Sequence, residues 1–363
     1  MKTEVKRLRA AGLLLALVVS FPAVAGDAKT ITFDPPGAAG GSAAVSINLF
    51  GVIAGQWVDE GGTAHGYLRA PNGTFTSFDP PESIDTLVQS INLEGATTGY
   101  YYDASFNQHG FIRTPSGAYV SFDAPGDVDG INPFSINQFG ETTGTFWDLN
   151  NTPHGFVRYP NGTLTVFDAP GADQGTLASG LNAAGAISGD YHASAPVSDG
   201  YTYRSHGFLR APDGAILSFD VPGAGDTYGS GVNDQGAITG IWVVAHGDVE
   251  HGYVRSPDGK FTTFDAPGAG TGTGGTPGNT QQGTEPSFIN GAGEVVGDYF
   301  DDNSVYHGFL RLCDGKVITF DAPGAGTTPY AFQGTVPLLN NLWGAIVGYS
   351  VDNNGVLHSF LRQ

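Results

Sequence analysis

The chain has 363 residues, 56 of them glycine and 22 proline, and only 14 % are charged. Glycine at about twice its usual share of roughly 7 %, without a three-residue period, excludes collagen, and 40 % hydrophobic with 12 % aromatic residues excludes intrinsic disorder. A formal net charge of −20 repels phosphate backbones and anionic lipid, which excludes nucleic-acid binding.

The first 25 residues read as a signal peptide. Lys2, Lys6, Arg7 and Arg9 precede an apolar stretch from Ala10 to Val19, too short to span a bilayer. Ala23-Val24-Ala25 supplies a small-residue cleavage site before Gly26. The expectation is an exported, soluble, monomeric protein, periplasmic or extracellular, with one domain over 26–363 and no membrane insertion. Beyond the leader, 34 acids face 11 bases, and the single cysteine, Cys313, excludes an intrachain disulfide.

An internal repeat fills the remainder. A Phe-Asp pair ends at Asp34, Asp79, Asp123, Asp168, Asp220, Asp265 and Asp321. An Asn-x-x-Gly-x-x-x-Gly string starts at Asn48, Asn92, Asn137, Asn182, Asn233, Asn290 and Asn341. His-Gly-aromatic-aliphatic-Arg starts at His65, His109, His154, His206, His251 and His307, with an altered copy at His358. The period of about 48 residues suits a propeller. Each unit reads as four short strands. A leads into the Asn, B follows the first Gly, C runs from His to Arg, and D ends in Phe-Asp. Pro-x-Gly between C and D is turn chemistry. The chain after the leader opens on a lone D strand, Thr30 to Asp34, and ends on a lone C strand, His358 to Arg362. These complementary ends predict an all-β, seven-bladed β-propeller of four-stranded antiparallel blades, closed by the N-terminal strand completing the last blade.

The repeats resemble the extracellular HAF-repeat family, whose units run Ile-Asn-x-x-Gly, His-Ala-Phe and Asp-Leu-Gly. Here His-Gly-Phe/Tyr and Phe-Asp-x-Pro-Gly stand in their place, as in a divergent branch. The resemblance implies export and repeat architecture, and no catalytic residue comes with it.

Seven identical His and Asp positions suit a scaffold better than one asymmetric reaction. The hairpin between C and D places each His beside the Asp of its Phe-Asp, where each Asp is expected to satisfy a buried His. The Arg residues are read as neutralising this acidic framework. The aromatics following the second Gly, Trp57 to Tyr299, are read as blade packing.

Function is expected where the repeat breaks. The A–B and C–D spans keep constant length, so length variation falls on the opposite face. There the B–C connection of the fourth unit is longer than its counterparts, and Gly268 to Pro286 is the longest D–A connection. Candidate ligand-binding residues on that face are His192, Tyr201, Tyr203, Arg204, Trp242, His246, Asp248 and Glu250. Three readings follow: a non-catalytic module binding carbohydrate or protein, a lyase or hydrolase using His192 or His246 beside Asp248 or Glu250, and a structural cell-envelope protein. No cofactor is implied. Calcium is a weaker thought, from the oxygen-rich turns Asp301-Asp302-Asn303 and Asp352-Asn353-Asn354-Gly355.

Overall fold

The computed structural model describes residues 28–127, 129–195, 202–244, 249–271 and 282–363. The proposed leader, Tyr201, His246 and Asp248 lie outside the described residues. The described chain forms 28 strands and, among these residues, no helix. Its repeats build antiparallel four-stranded sheets in A-B-C-D order, such as Gly41–Ile47, Ile53–Val58, Ala64–Arg69 and Phe75–Phe78. This is a β-propeller architecture. The N-terminal strand Thr30–Phe33 pairs antiparallel with Leu357–Arg362, Thr30 opposite Arg362 and Phe33 opposite Ser359.

The A strands lie innermost, each touching the A strand of the next unit. Every A strand carries one extra residue near its middle, a bulge that turns a side chain out of the ladder. The apolar cores sit between units. Ile47, Ile53 and Tyr67 of the first unit pack with Val347 and Leu361 of the seventh.

The repeated residues explain this arrangement. Each signature Asn does two jobs. Asn48 Oδ1 accepts the N–H groups of Phe50 and Val52, closing its own A–B turn. Its Nδ2 donates to the carbonyl of Asn92, the signature Asn of the next unit. The same bond runs from Asn92 to Asn137, onward through Asn182, Asn233, Asn290 and Asn341, and from Asn341 back to Asn48 O at 3.1 Å.

The Gly of His-Gly leaves room for the Phe of Phe-Asp. A Cβ on Gly66 would stand 2.5 Å from the Phe78 ring, so no larger residue fits without displacing it. That same ring carries the Arg of the following unit. Arg113 lies 4.8 Å over Phe78, and the seven repeat arginines stand 4.6 to 5.0 Å from such rings, Arg69 over Phe33 included. This corrects the expectation that these arginines neutralise acids. They make cation–π contacts across unit boundaries instead.

The His–Asp pairing occurs in all seven copies, with Nδ1–Oδ distances of 2.7 to 3.0 Å. His358 reaches Asp34, joining the two ends of the described chain at 2.8 Å. The pairs are partly exposed rather than buried, because they sit at the outer C–D edge, so the expected burial of the His does not hold. The B-strand aromatics stack on these histidines, as Trp57 does on His65 at 4.6 Å and Tyr299 on His307 at 5.1 Å.

Candidate functional site

With His, Asp, Arg and Asn engaged in the scaffold, the chemistry left over lies at positions where single units depart from the repeat. One such position follows the second Gly of strand B and faces the next unit's A strand. In the first and third units it accepts a backbone N–H: Gln56 Oε1 from Val88 at 3.2 Å, Thr145 Oγ1 from Ala178 at 3.1 Å. The fourth and sixth units place carboxyls there, Asp190 and Asp298. Opposite Asp298, the residue corresponding to Val88 is Pro337, which has no N–H to give.

Asp298 is 4 % exposed. Its cross-strand partner is Glu285. Glu250 arrives from the preceding unit through a short parallel pairing, opposite Gly283. Glu250 Oε2 and Glu285 Oε1 are buried without a hydrogen-bond partner. Burial first, then the Glu285 carboxyl beside it, drives Glu250 well above the usual carboxylate range, and the same two causes raise Asp298. The phenols of Tyr306 and Tyr349 are also raised, by burial and then by Asp298; Tyr349 reaches about 12. Glu250, raised to about 10, therefore holds its proton at neutral pH and can donate as well as accept a hydrogen bond.

In the fourth unit Asp190 is buried, and burial raises its pKa. His192 Nε2 lies 3.4 Å from Asp190 Oδ2, and its ring stacks on Tyr203 at 4.1 Å and 14°. Asp190 and Tyr228 open onto a central cavity of about 440 Å³. Its wall from the fourth to sixth units carries Ser179, Ser230 and Ser287, the residues displaced by the bulges; Val45, Gln89, Phe134 and Leu338 stand at the corresponding positions elsewhere. One arc of the channel is therefore hydroxyl-rich and the other apolar except at Gln89.

The structure divides the sequence candidates among four places. His192 and Tyr203 meet beside Asp190. Arg204 is 3.3 Å from Asp226 of the next unit, an ion pair that straps two units together. Trp242 stacks on His251 at 4.7 Å and belongs to the scaffold. Glu250 joins Glu285 and Asp298. Sequence reasoning missed Asp190, Tyr228, Glu285 and Asp298 because it searched the loops. Aligning the seven repeats column by column reveals them, since only Asp190 and Asp298 bring a carboxyl to their column, and only Tyr228 and Glu285 bring a phenol or carboxyl to theirs. The oxygen-rich turns considered for calcium use their carboxylates as turn caps. Asp301 Oδ1 accepts the N–H groups of Asn303 and Val305, and Asp352 Oδ1 those of Asn354 and Val356.

No family model matches the chain, and no curated protein matches its sequence. Solved structures do match its shape. Virginiamycin B lyase from Staphylococcus aureus is 13 % identical, with 93 % of this chain and 100 % of that one covered at a TM-score of 0.59. The β-propeller domain of the Trilobed protease from Pyrococcus furiosus is 7 % identical, covering 92 % and 97 % at 0.60. The BP39L lectin from Burkholderia pseudomallei is 10 % identical, covering 88 % and 94 % at 0.52. At these identities the likeness is one of fold, the β-propeller.

Proposed function

We propose that the chain is an exported, closed seven-bladed propeller, a divergent relative of the HAF-repeat proteins, that binds a polyhydroxylated ligand, a carbohydrate, at the channel mouth bordered by its variable loops. Closure is supported by the pairing of Thr30–Phe33 with Leu357–Arg362 and by the asparagine bond from Asn341 to Asn48. Export is supported by the basic and apolar segments at the N-terminus. The observation that carries the binding reading is the gathering of the acidic departures from the repeat, Asp190, Glu250, Glu285 and Asp298, on three consecutive units, beside the serine arc of the channel. The serine hydroxyls, the Asp190 carboxyl and the Tyr228 phenol on the cavity wall present donors and acceptors to sugar hydroxyls. The apolar side chains of Phe134 and Leu338 on the opposite wall suit the C–H face of a pyranose. That a lectin shares the fold is consistent with this reading.

The test is thermal unfolding against a panel of glycans, with His192→Ala and Tyr228→Phe as site variants. A glycan present at a hundredfold its Kd stabilises a native-state binder by about 2.7 kcal/mol. A stabilising glycan whose effect survives both substitutions refutes this site, and a flat panel refutes the carbohydrate reading. An enzymatic reading, a lyase or hydrolase, is favoured by one observation: Glu250 lies beside Glu285, and burial and then that neighbour raise its pKa, a pairing suited to acid–base work. Turnover of the stabilising glycan, abolished by Glu250→Gln, decides between the two.

A further inference from the structure

The opposite end of the channel, where the A–B turns meet, carries a feature the fold does not require. Its seven Asn-x-x-Gly turns share one geometry, and at the third turn position the second, fourth, fifth and sixth carry Glu94, Ala184, Gln235 and Ala292. The remaining three carry Phe50, Phe139 and Trp343, which are 69 %, 64 % and 63 % exposed. Leu49, Leu93 and Leu342 precede the third position in the first, second and seventh turns. These turns belong to consecutive units, seven through three, as the asparagine bonds show. They form an apolar crescent around a cavity of about 240 Å³, on whose wall the three leucines lie. None of the three aromatics is buried; Trp343 Nε1 donates to Leu49 O of the neighbouring unit at 3.0 Å, whereas Phe50 and Phe139 expose apolar surface where glutamate or glutamine serves in other turns.

We propose that this crescent is a second binding surface, independent of the variable-loop mouth, and that its occupant is a polypeptide segment seating one bulky apolar side chain in the cavity, flanked by basic residues. Two observations select that occupant. The signature asparagines around the cavity are already engaged on both sides, Oδ1 by their own turns and Nδ2 by the neighbouring carbonyl. The Asn340 amide on the cavity wall, which has no hydrogen-bond partner, is 1 % exposed and out of a ligand's reach. A sugar is left with Ser90, Ser135, Gln138 and Asp234 on this wall, whereas an apolar side chain needs no directional partner and meets the three leucines. The charged residues of the turns, Glu94, Glu141, Asp234 and Glu294, are all acidic. This favours lysine or arginine beside the anchor and opposes docking of a second copy of this chain.

The test pans a phage library of random dodecapeptides on the whole protein and counter-selects on the triple variant Phe50→Gln, Phe139→Gln, Trp343→Gln. Glutamine already occupies this turn position at Gln235, so the variant keeps the fold, checked by an unchanged far-UV circular dichroism spectrum and a cooperative melt, with a small loss of stability expected from the missing Trp343–Leu49 bond. The expected result is enriched peptides with an aromatic residue or leucine beside lysine or arginine, bound at least tenfold more weakly by the variant and more weakly at high salt. Three results would overturn the proposal: peptides that bind the variant equally, no enrichment over the variant, or self-association of the wild type in sedimentation velocity that the variant abolishes. None of these results bears on glycan binding at the other mouth.

Discussion

Asn340 gives the sharpest energetic test. The residue preceding the signature Asn is aliphatic in six units, Ile47, Ile91, Ile136, Leu181, Val232 and Ile289, and asparagine in the seventh. Asn340 is 1 % exposed, faces Ile346 across the strands, and neither Nδ2 nor Oδ1 has a hydrogen-bond partner. A buried polar group left unpaired costs about 1–3 kcal/mol. Leucine has nearly the same shape as asparagine and already fills this position in the fourth unit. Asn340→Leu is therefore expected to stabilise the protein by about 1–3 kcal/mol, and to raise Tm by about 2–6 °C at roughly 2 °C per kcal/mol for a chain this long. The neighbouring Asn341→Leu is expected to do the reverse. It removes acceptors for the N–H groups of Trp343 and Ala345 and the donor to Asn48 O, a loss of at least about 2 kcal/mol. Equilibrium urea unfolding at constant m-value, with calorimetry alongside, measures both. If Asn340→Leu destabilises, the Asn340 amide is satisfied in the folded protein and the reasoning fails.

Two further outcomes follow from the scaffold and the carboxyl cluster. Gly155→Ala would bring a Cβ within 2.7 Å of the Phe167 ring, which also supports Arg210 at 4.9 Å. Urea unfolding should show a loss of about 1–3 kcal/mol, and an unchanged midpoint would show that the ring yields freely. Glu250 is protonated in the folded protein above the pH at which an unfolded glutamate has released its proton, so the folded state holds more protons and stability falls as pH rises from the ordinary value of 4.5. The slope is about 1.4 kcal/mol per pH unit for each such carboxyl. Glu250→Gln should flatten that decline between pH 6 and 8, and parallel curves for variant and wild type would contradict the raised pKa.

How much of this was legible depends on how far each residue's partner lies along the chain. The His65–Asp79 contact follows from one hairpin, and the spacing of 14 residues discloses it. The arginines were misread because the partner of Arg113 is Phe78 of the preceding unit, a contact that no within-unit pattern reveals. The site was only half visible for a related reason. Glu250 was found as the neighbour of a variable loop, but Glu285 and Asp298, which set its chemistry, lie within strands and look like ordinary exceptions to an apolar alternation. The crescent at Phe50, Phe139 and Trp343 was passed over because constant spacing marked those turns as scaffold, and spacing carries no record of which side chain occupies a tolerant position.

The pairing of Thr30–Phe33 with Leu357–Arg362 also sets an order in time. The strand that leaves the ribosome near the beginning has to wait for the strand made near the end. Until then Phe33 has no Arg69 settled against it within a complete blade, Asp34 has no His358, and an edge of the last sheet stands open. At typical synthesis rates of about 5–20 residues per second, this interval lasts on the order of tens of seconds. If the proposed export delivers the chain unfolded, Thr30–Phe33 and Leu357–Arg362 are present together when folding begins, and the exposure of that edge to like chains is shorter. This long-range pairing is also one through which two unfinished molecules can exchange strands, so crowding during maturation is a condition to which the architecture is exposed.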